Sequence, residues 1–338
     1  MGNKSKIEWT DVTWNPTTGC SKVSAGCTNC YAKRNWNRLQ HLLPAYKGRA
    51  FEDVRCHPER LINPLCWQSP RLVFVNSMSD LFHEDIPGTF IDAVFAAMAL
   101  SPQHTFQVLT KRPEKMKQYF MSDCWGVAVE HRWFAAAGVY KLFKSEKEMD
   151  FLLKKTPQLP NVWLGVSVED QEAADERIPL LLDTPAAVRF ISAEPLLGRI
   201  NLSSRVLPND FGYADVAANW LRGMTIDAET GEDLADTPGN KIDWVICGGE
   251  FGPKARPTDP RWVRSLRDQC LSNDVPFFFQ EWGEWGPDCI IPVPDAYRHR
   301  IENGERAAVN SYRLGRQRTG RLLDGELWDE YPKCTDRG

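Results

Sequence analysis

Short apolar, β-rich runs alternate with longer stretches of helical periodicity along most of the chain. The pattern predicts strands over 13–19, 72–77 (LVFVNS), 105–110 (TFQVLT), 161–168 (NVWLGVSV), 188–193 (VRFISA), 243–247 (DWVIC) and 276–280 (PFFFQ). Helices are predicted over 90–100, from Lys111-Arg112-Pro113 towards Phe120, over 172–182, and over 261–272 with Thr258 or Asp259 as its cap. Strands alternating with helices of this length indicate βαβ units and a parallel sheet. With about seven strands and no Gly-rich dinucleotide fingerprint after the first, the reading is an α/β fold, a complete or partial (βα) barrel, with a doubly wound open sheet as the alternative.

Two segments leave the pattern. Residues 199–241, rich in Gly, Pro and acids, read as a surface insertion. Residues 283–338, rich in Gly, Pro and Arg, read as an extension that packs on a barrel formed by 1–282. No stretch of about 18 apolar residues occurs, so no membrane-spanning helix and no membrane partner are expected. The first residues lack a signal-peptide core, and Lys6 breaks the acylation pattern begun by Gly2. The expected location is cytoplasmic.

Polar residues gather just after the strands: Asn76, Ser77, Ser79 and Asp80; Thr110, Lys111 and Arg112; Ser167, Glu169 and Asp170; Ser192 and Glu194; Gly248, Gly249 and Glu250; Gln280, Glu281 and Trp282. In βα barrels the site lies at these ends of the strands, so the residues are candidates for one ring. His83 and His104 flank the second and third strands, and the acids beside His83 are placed to shift its pKa.

Composition is that of an ordinary globular chain: 338 residues, 42% hydrophobic and 25% charged, with a net charge of −4 that excludes a wholly basic nucleic-acid binder. A local basic patch remains open. Arg298, Arg300, Arg306, Arg313, Arg316, Arg318 and Arg321 crowd between Tyr297 and Arg321, opposed only by Glu302 and Glu305. Arg forks suit phosphates, and Tyr297 and Tyr312 can stack on bases, so Arg313, Arg316 and Arg318 are candidates for a nucleotide or nucleic-acid contact. Of the 13 tryptophans, Trp125, Trp133, Trp163, Trp244 and Trp262 are assigned to the core, and Trp282 and Trp285 to a substrate pocket with Asp80 and His83.

The sharpest signal is Cys20, Cys27 and Cys30 in TTGCSKVSAGCTNCYAKR, a C-x6-C-x2-C arrangement directly after the first strand. Three thiols within eleven residues suit a metal ion or an iron–sulfur cluster. Structural zinc usually takes four ligands, and no second CxxC pair exists; Cys56, His57 and Cys66 are candidates for a fourth.

The segments WTDVTWNPTTGCSKVSAGCTNCYA, HPERLINPL, FVNSMSDLFHEDIP, HTFQVLTKRPEKM, WLGVSVED, FISAEPLLG, WVICGGEFGPKARP, WVRSLRDQC, VPFFFQEWGEW and GRLLDGELWDEYP span nearly the whole chain outside 199–241. On these segments the sequence resembles a phage- and prophage-associated three-cysteine family of unknown function. That family in turn resembles radical S-adenosylmethionine (SAM) enzymes. Those carry C-x3-C-x2-C with an aromatic residue before the last cysteine, whereas here six residues fill the first gap, Asn29 precedes Cys30 and Tyr31 follows it. Gln280-Glu281 stands before Trp282 where the family resemblance leads one to expect a Lys-Gln pair.

The resemblance implies a 4Fe-4S cluster on Cys20, Cys27 and Cys30, with SAM on its open iron and an electron donor of flavodoxin or ferredoxin type. It implies Ser77 and Ser79 near the SAM amino group, Lys111 or Arg112 at its carboxylate, Ser167 and Glu169 at the ribose, Val245–Gly248 beside the adenine at close backbone range, and Gly249 among the cofactor contacts. Ser192, Glu194 and Glu250 would complete the SAM or substrate contacts. Two rival readings are a zinc or iron–sulfur module without radical chemistry, and a barrel hydrolase using Asp80, Glu169, Glu194 and Glu250.

Overall fold

The computed structural model describes residues 5–121, 128–206, 216–227, 229–234, 238–287 and 311–333. It is a mixed α/β protein whose chain divides into two compact units, Met1–Val166 with Pro179–Val188, and Ser167–Ile178 with Arg189–Gly338.

The first unit opens with β1 (Val12–Trp14) and β2 (Thr17–Thr18), followed by α1 (Tyr31–Leu42), β3 (Arg55–Cys56), β4 (Leu72–Val75) and α2 (Gly88–Ala99). Then come β5 (Thr105–Thr110), α3 (Pro113–Met121), α4 (Val129–Val139), α5 (Glu146–Leu153) and β6 (Val162–Ser167). β1, β4, β5 and β6 pair in that order, all parallel. The single strand expected over 13–19 is two: β2 leaves the parallel ladder and pairs antiparallel with β3. Pro16, which has no N–H to give a ladder, lies between them. α4 and α5, which the periodicity did not single out, follow α3, and α4 packs on α2.

The second unit holds most of α6 (Gln171–Leu182), then β7 (Val188–Ala193), the small strands β8 (Arg205–Val206), β9 (Val216–Asn219) and β10 (Met224–Asp227), then β11 (Trp244–Gly248), α7 (Pro260–Leu271) and β12 (Phe277–Glu281). β13 (Trp285–Pro287), β14 (Ser311–Arg313) and the short α8 (Arg316–Thr319) complete it. β7, β11 and β12 pair in parallel. Parallel strands are covered on both faces and therefore read as unbroken apolar runs, and every residue of β6, β11 and β12 is buried. The cap of α7 is Asp259, whose side chain accepts from Arg261 N at 2.8 Å, while Thr258 donates instead to Leu196 O at 3.0 Å.

The insertion is more ordered than its composition implied. Its strands β8, β9 and β10 form an antiparallel sheet that buries Ile200, Leu202, Ala217 and Leu221. The described part of the C-terminal extension lies along β12. Phe279 N donates to Trp328 O at 2.9 Å, Trp282 Nε1 to Leu322 O at 2.9 Å, and Trp244 Nε1 to Glu330 O at 2.8 Å. Trp133, Trp163 and Trp244 are buried as expected. Trp262 is only half-buried, and Trp125 lies outside the described residues. Among the described residues no helix is long and apolar enough to cross a membrane.

Candidate functional site

The cysteine loop belongs to the first unit and is fixed at its start. Gly19 has φ +94°, and a Cβ there would stand 2.4 Å from Asp53 O, so only glycine fits. Gly19 N donates to Met78 O at 3.1 Å and Cys20 N to Phe51 O at 2.9 Å. Cys27 closes a 3-10 turn over Ala25–Cys27, and Cys30 is the N-cap of α1. All three thiols are partly exposed. Cys20 and Cys30 pack against one cluster of Trp36, Tyr46, Phe51 and Met78. The Tyr31 hydroxyl donates to Ser77 O, tying the start of α1 to the end of β4.

Arg112, just past β5, reaches this loop. Its Nη1 lies 3.7 Å from Cys20 Sγ and 3.3 Å from Asp80 Oδ2, and its Nη2 donates to Ser21 O at 3.3 Å and Ser21 Oγ at 2.8 Å. Its Nε donates to Glu84 at 3.0 Å. Asp80 is buried and fully used: Oδ1 accepts from Thr110 Oγ1 at 2.7 Å and Phe82 N at 3.0 Å, and Oδ2 accepts also from Lys111 N at 3.0 Å. Burial, then the Asp80 charge, pushes the Cys20 thiol up to about 12 against the opposing pull of Arg112. Without a metal Cys20 is therefore a neutral thiol at neutral pH, and a metal would displace its proton.

His83 Nδ1 accepts from Asp85 N at 3.1 Å, so the neutral ring carries its proton on Nε2, 2.8 Å from Ser21 Oγ. Burial, with Arg112 next, holds the His83 pKa below its ordinary value even though Glu84, Asp85 and Asp80 pull the other way. Ser79 Oγ lies 2.7 Å from Thr17 Oγ1, and Ser77 Oγ accepts from Asn15 Nδ2 at 3.1 Å. Ser77 thus binds the β1–β2 loop and Ser79 the first residue of β2. Asn76, at φ 64°, accepts from Thr17 N at 3.3 Å, while its buried Nδ2 has no protein partner.

A family model described as "Protein of unknown function (DUF5131)" matches residues 4–332. The chain belongs to this family. No curated protein and no solved structure matches it.

Among the described residues of this DUF5131 chain, no three His, Cys, Asp or Glu side chains converge closely enough to hold a single metal ion. A single zinc needs its sulfur donors about 2.3 Å from one centre. An iron–sulfur cluster instead takes each thiolate on a different iron. Cys20, Cys27 and Cys30 lie on one loop with an Arg112 N–H at the Cys20 sulfur and are the residues that could hold such a cluster; nearby in sequence to Ser77 and Ser79, the buried Asn76 Nδ2 is left without a protein partner. His57 is not placed as a fourth ligand by its bonds: its Nε2 lies 2.8 Å from Thr18 Oγ1 and its Nδ1 3.3 Å from Glu59. His104 is a packed residue, buried with Nε2 3.1 Å from Pro64 O.

The second unit of the DUF5131 chain brings together the other strand-end residues, mostly as ion pairs. Glu169 accepts from Arg177 Nη1 at 3.0 Å, and the same nitrogen donates to Ser167 O at 2.7 Å. Glu250 is forked by Arg256, with Nε–Oε2 at 2.9 Å and Nη2–Oε1 at 2.7 Å. Glu281 accepts from Arg316 Nε at 2.5 Å, and the Arg316 guanidinium lies over the Phe251 ring at 4.5 Å. Glu194 accepts from Ser192 Oγ at 3.0 Å, and a Cβ on Gly248 would stand 2.9 Å from Glu194 Oε1. A Cβ on Gly249 would stand 2.0 Å from Trp282 O. At both glycines a side chain would meet the protein's own atoms.

Trp282, assigned to a substrate pocket, is buried against Phe279. Trp285 Nε1 donates to Ala255 O at 2.7 Å. Of the candidate arginines, Arg313 Nη2 donates to Gly252 O and Pro253 O, Arg316 pairs as above, and Arg318 is exposed. Tyr297, Arg298, Arg300 and Arg306 lie outside the described residues. Sequence reasoning missed Ser21, Glu84, Arg177 and Arg256. For Arg177 a signal existed: it falls on the helical face of Ala174, Ile178 and Leu181, where an apolar residue belongs.

Proposed function

We propose that this protein is a radical SAM enzyme that carries a 4Fe-4S cluster on Cys20, Cys27 and Cys30. The observation that carries the reading is the three-thiol loop that follows the parallel β1 and the short antiparallel β2, with the Arg112 guanidinium at the Cys20 sulfur. The parallel strands of each unit alternate with helices, as the (βα) units of such an enzyme do. Bound there, the cluster would leave one iron open for the amino and carboxylate groups of SAM, and one electron would cleave SAM to methionine and a 5′-deoxyadenosyl radical. The protein's own part is to hold the sulfurs on a loop pinned by Gly19, Phe51 and Met78. An external flavodoxin- or ferredoxin-type donor would supply the electron.

The substrate we propose is a nucleotide or nucleic-acid base, in a phage setting. Its support is the Arg-rich extension, where Arg313 and Arg318 are exposed, together with the sequence resemblance. The hydrolase reading loses ground because Asp80, Glu169 and Glu250 are all bound to arginines, which leaves them poorly placed for proton transfer.

Anaerobic purification with iron and sulfide analysis, then dithionite and SAM with assay for 5′-deoxyadenosine, tests the proposal. About four irons per chain, and 5′-deoxyadenosine that disappears in C20A, C27A and C30A, are expected. One zinc per chain with no SAM cleavage would replace the reading with a structural metal module.

A further inference from the structure

We propose that Arg112 is a positioning residue for the cysteine loop, fixing the Cys20 sulfur from the end of β5 and, with a cluster bound, setting how readily that cluster accepts an electron. The inference rests on the cluster reading above. The SAM-carboxylate role that the resemblance implied for Arg112 has no N–H left to serve it. A guanidinium has five N–H groups. Here Nε is bound to Glu84, Nη1 faces Cys20 Sγ and Asp80, and Nη2 faces Ser21 O and Ser21 Oγ.

The placement is rigid. The Arg112 side chain is 7% exposed and its anchor Asp80 8%. Asp80 is itself held by Thr110 Oγ1, Phe82 N and Lys111 N. Arg112 N is held by Thr110 Oγ1 at 2.9 Å, so backbone and side chain share one frame. The result is a cation and an N–H donor locked at one cysteine sulfur, with two neighbouring residues of the loop clamped by the same fork. A lysine could not make this fork.

Hydrogen bonds to the sulfurs and the local net charge are what tune an iron–sulfur potential. Removing the Arg112 charge makes the site more negative and reduction harder. Removing the Glu84 charge does the reverse, because less of the guanidinium charge is then neutralised. Glu84 is 66% exposed, so E84Q carries little folding risk.

The test is a dithionite titration, followed by electron paramagnetic resonance, of reconstituted wild-type protein, R112M, R112K and E84Q, with iron and sulfide measured on each. The expected result is a midpoint shifted to more negative potential in R112M, to more positive potential in E84Q, and a smaller negative shift in R112K. A purely structural Arg112 would not give shifts of opposite sign. Wild-type protein that takes up no iron and sulfide overturns the cluster reading and this inference with it. Wild-type protein that loads, beside an R112M that titrates at the wild-type potential, overturns this inference alone. Should R112M not fold, E84Q decides: an unchanged or more negative midpoint overturns the proposal.

Discussion

Arg177 and Glu169 form an ion pair at 3.0 Å in which both side chains are 1% exposed. Such a pair is weak evidence of stability, but breaking it leaves one buried charge unmatched. R177M is therefore expected to lower unfolding free energy by about 3–5 kcal/mol. The double variant R177M/E169Q, which removes both charges, should recover much of that loss. Urea unfolding of the three proteins measures it, and a double variant no better than R177M would contradict the account.

The close backbone approach at Gly249 gives a second expectation. A Cβ there would stand 2.0 Å from Trp282 O and 2.6 Å from its carbonyl carbon, and backbone cannot swing aside as a side chain can. G249A should cost about 3 kcal/mol or more, the upper end for overpacking. Gly138, near the end of α4, meets nothing within 4 Å, so G138A should instead stabilise by about 0.4–1 kcal/mol. Thermal melts of the pair distinguish a steric need for glycine from a general intolerance of substitution.

The strands were legible because buried parallel strands write themselves as apolar runs, and the polar positions ending them were legible for the same reason. Asp80, Thr110 and Arg112 were flagged by that boundary alone. Which partner each would take was not legible. Arg112 meets Cys20 and Ser21 across sequence separations of 92 and 91 residues, and no local pattern encodes such a pairing. Glu250 reads as a ligand contact from its place just after a strand, yet its fork comes from Arg256, six residues on, through a turn the periodicity does not specify. The insertion reads only as a surface excursion because Gly, Pro and acids dominate its composition. The buried Leu202, Ala217 and Leu221 that organise it are too widely spaced to register as one element.

His104 carries a pH dependence. Burial holds its pKa below the ordinary value against the opposing hydrogen bond to the Pro64 carbonyl, with Arg71 adding to the fall, so the unfolded chain binds its proton more readily than the folded one. The stability this histidine contributes is present above its unfolded pKa, near 6.5, and is lost as pH falls towards the folded value. The urea midpoint of the wild-type protein should fall more between pH 7.5 and 5.5 than that of H104N, whose side chain does not titrate. Equal falls would assign the acid sensitivity elsewhere.

The C-terminal strap bears on how much of the chain is needed for the second unit to fold. Between 320 and 330 it pairs with or caps β12 repeatedly: Trp282 N donates to Gly320 O, Phe279 N to Trp328 O, and Phe277 N to Glu330 Oε2. Asp324 also takes Arg264 at 2.7 Å and Arg267 at 2.6 Å, which draws its carboxyl below the usual range. Ending the chain at 310 would strip these partners from β12 and expose Phe278 and Trp244, which now meet Tyr331 at ring separations of 5.5 Å and 5.2 Å. An unpaired apolar strand edge is a template for aggregation. The truncated chain should therefore be recovered as insoluble protein, whereas D324N, which loses only the Arg264 and Arg267 contacts on a partly exposed surface, should stay soluble and lose about 1 kcal/mol. A soluble, cooperatively unfolding 1–310 chain would show that the strap covers a core already complete without it.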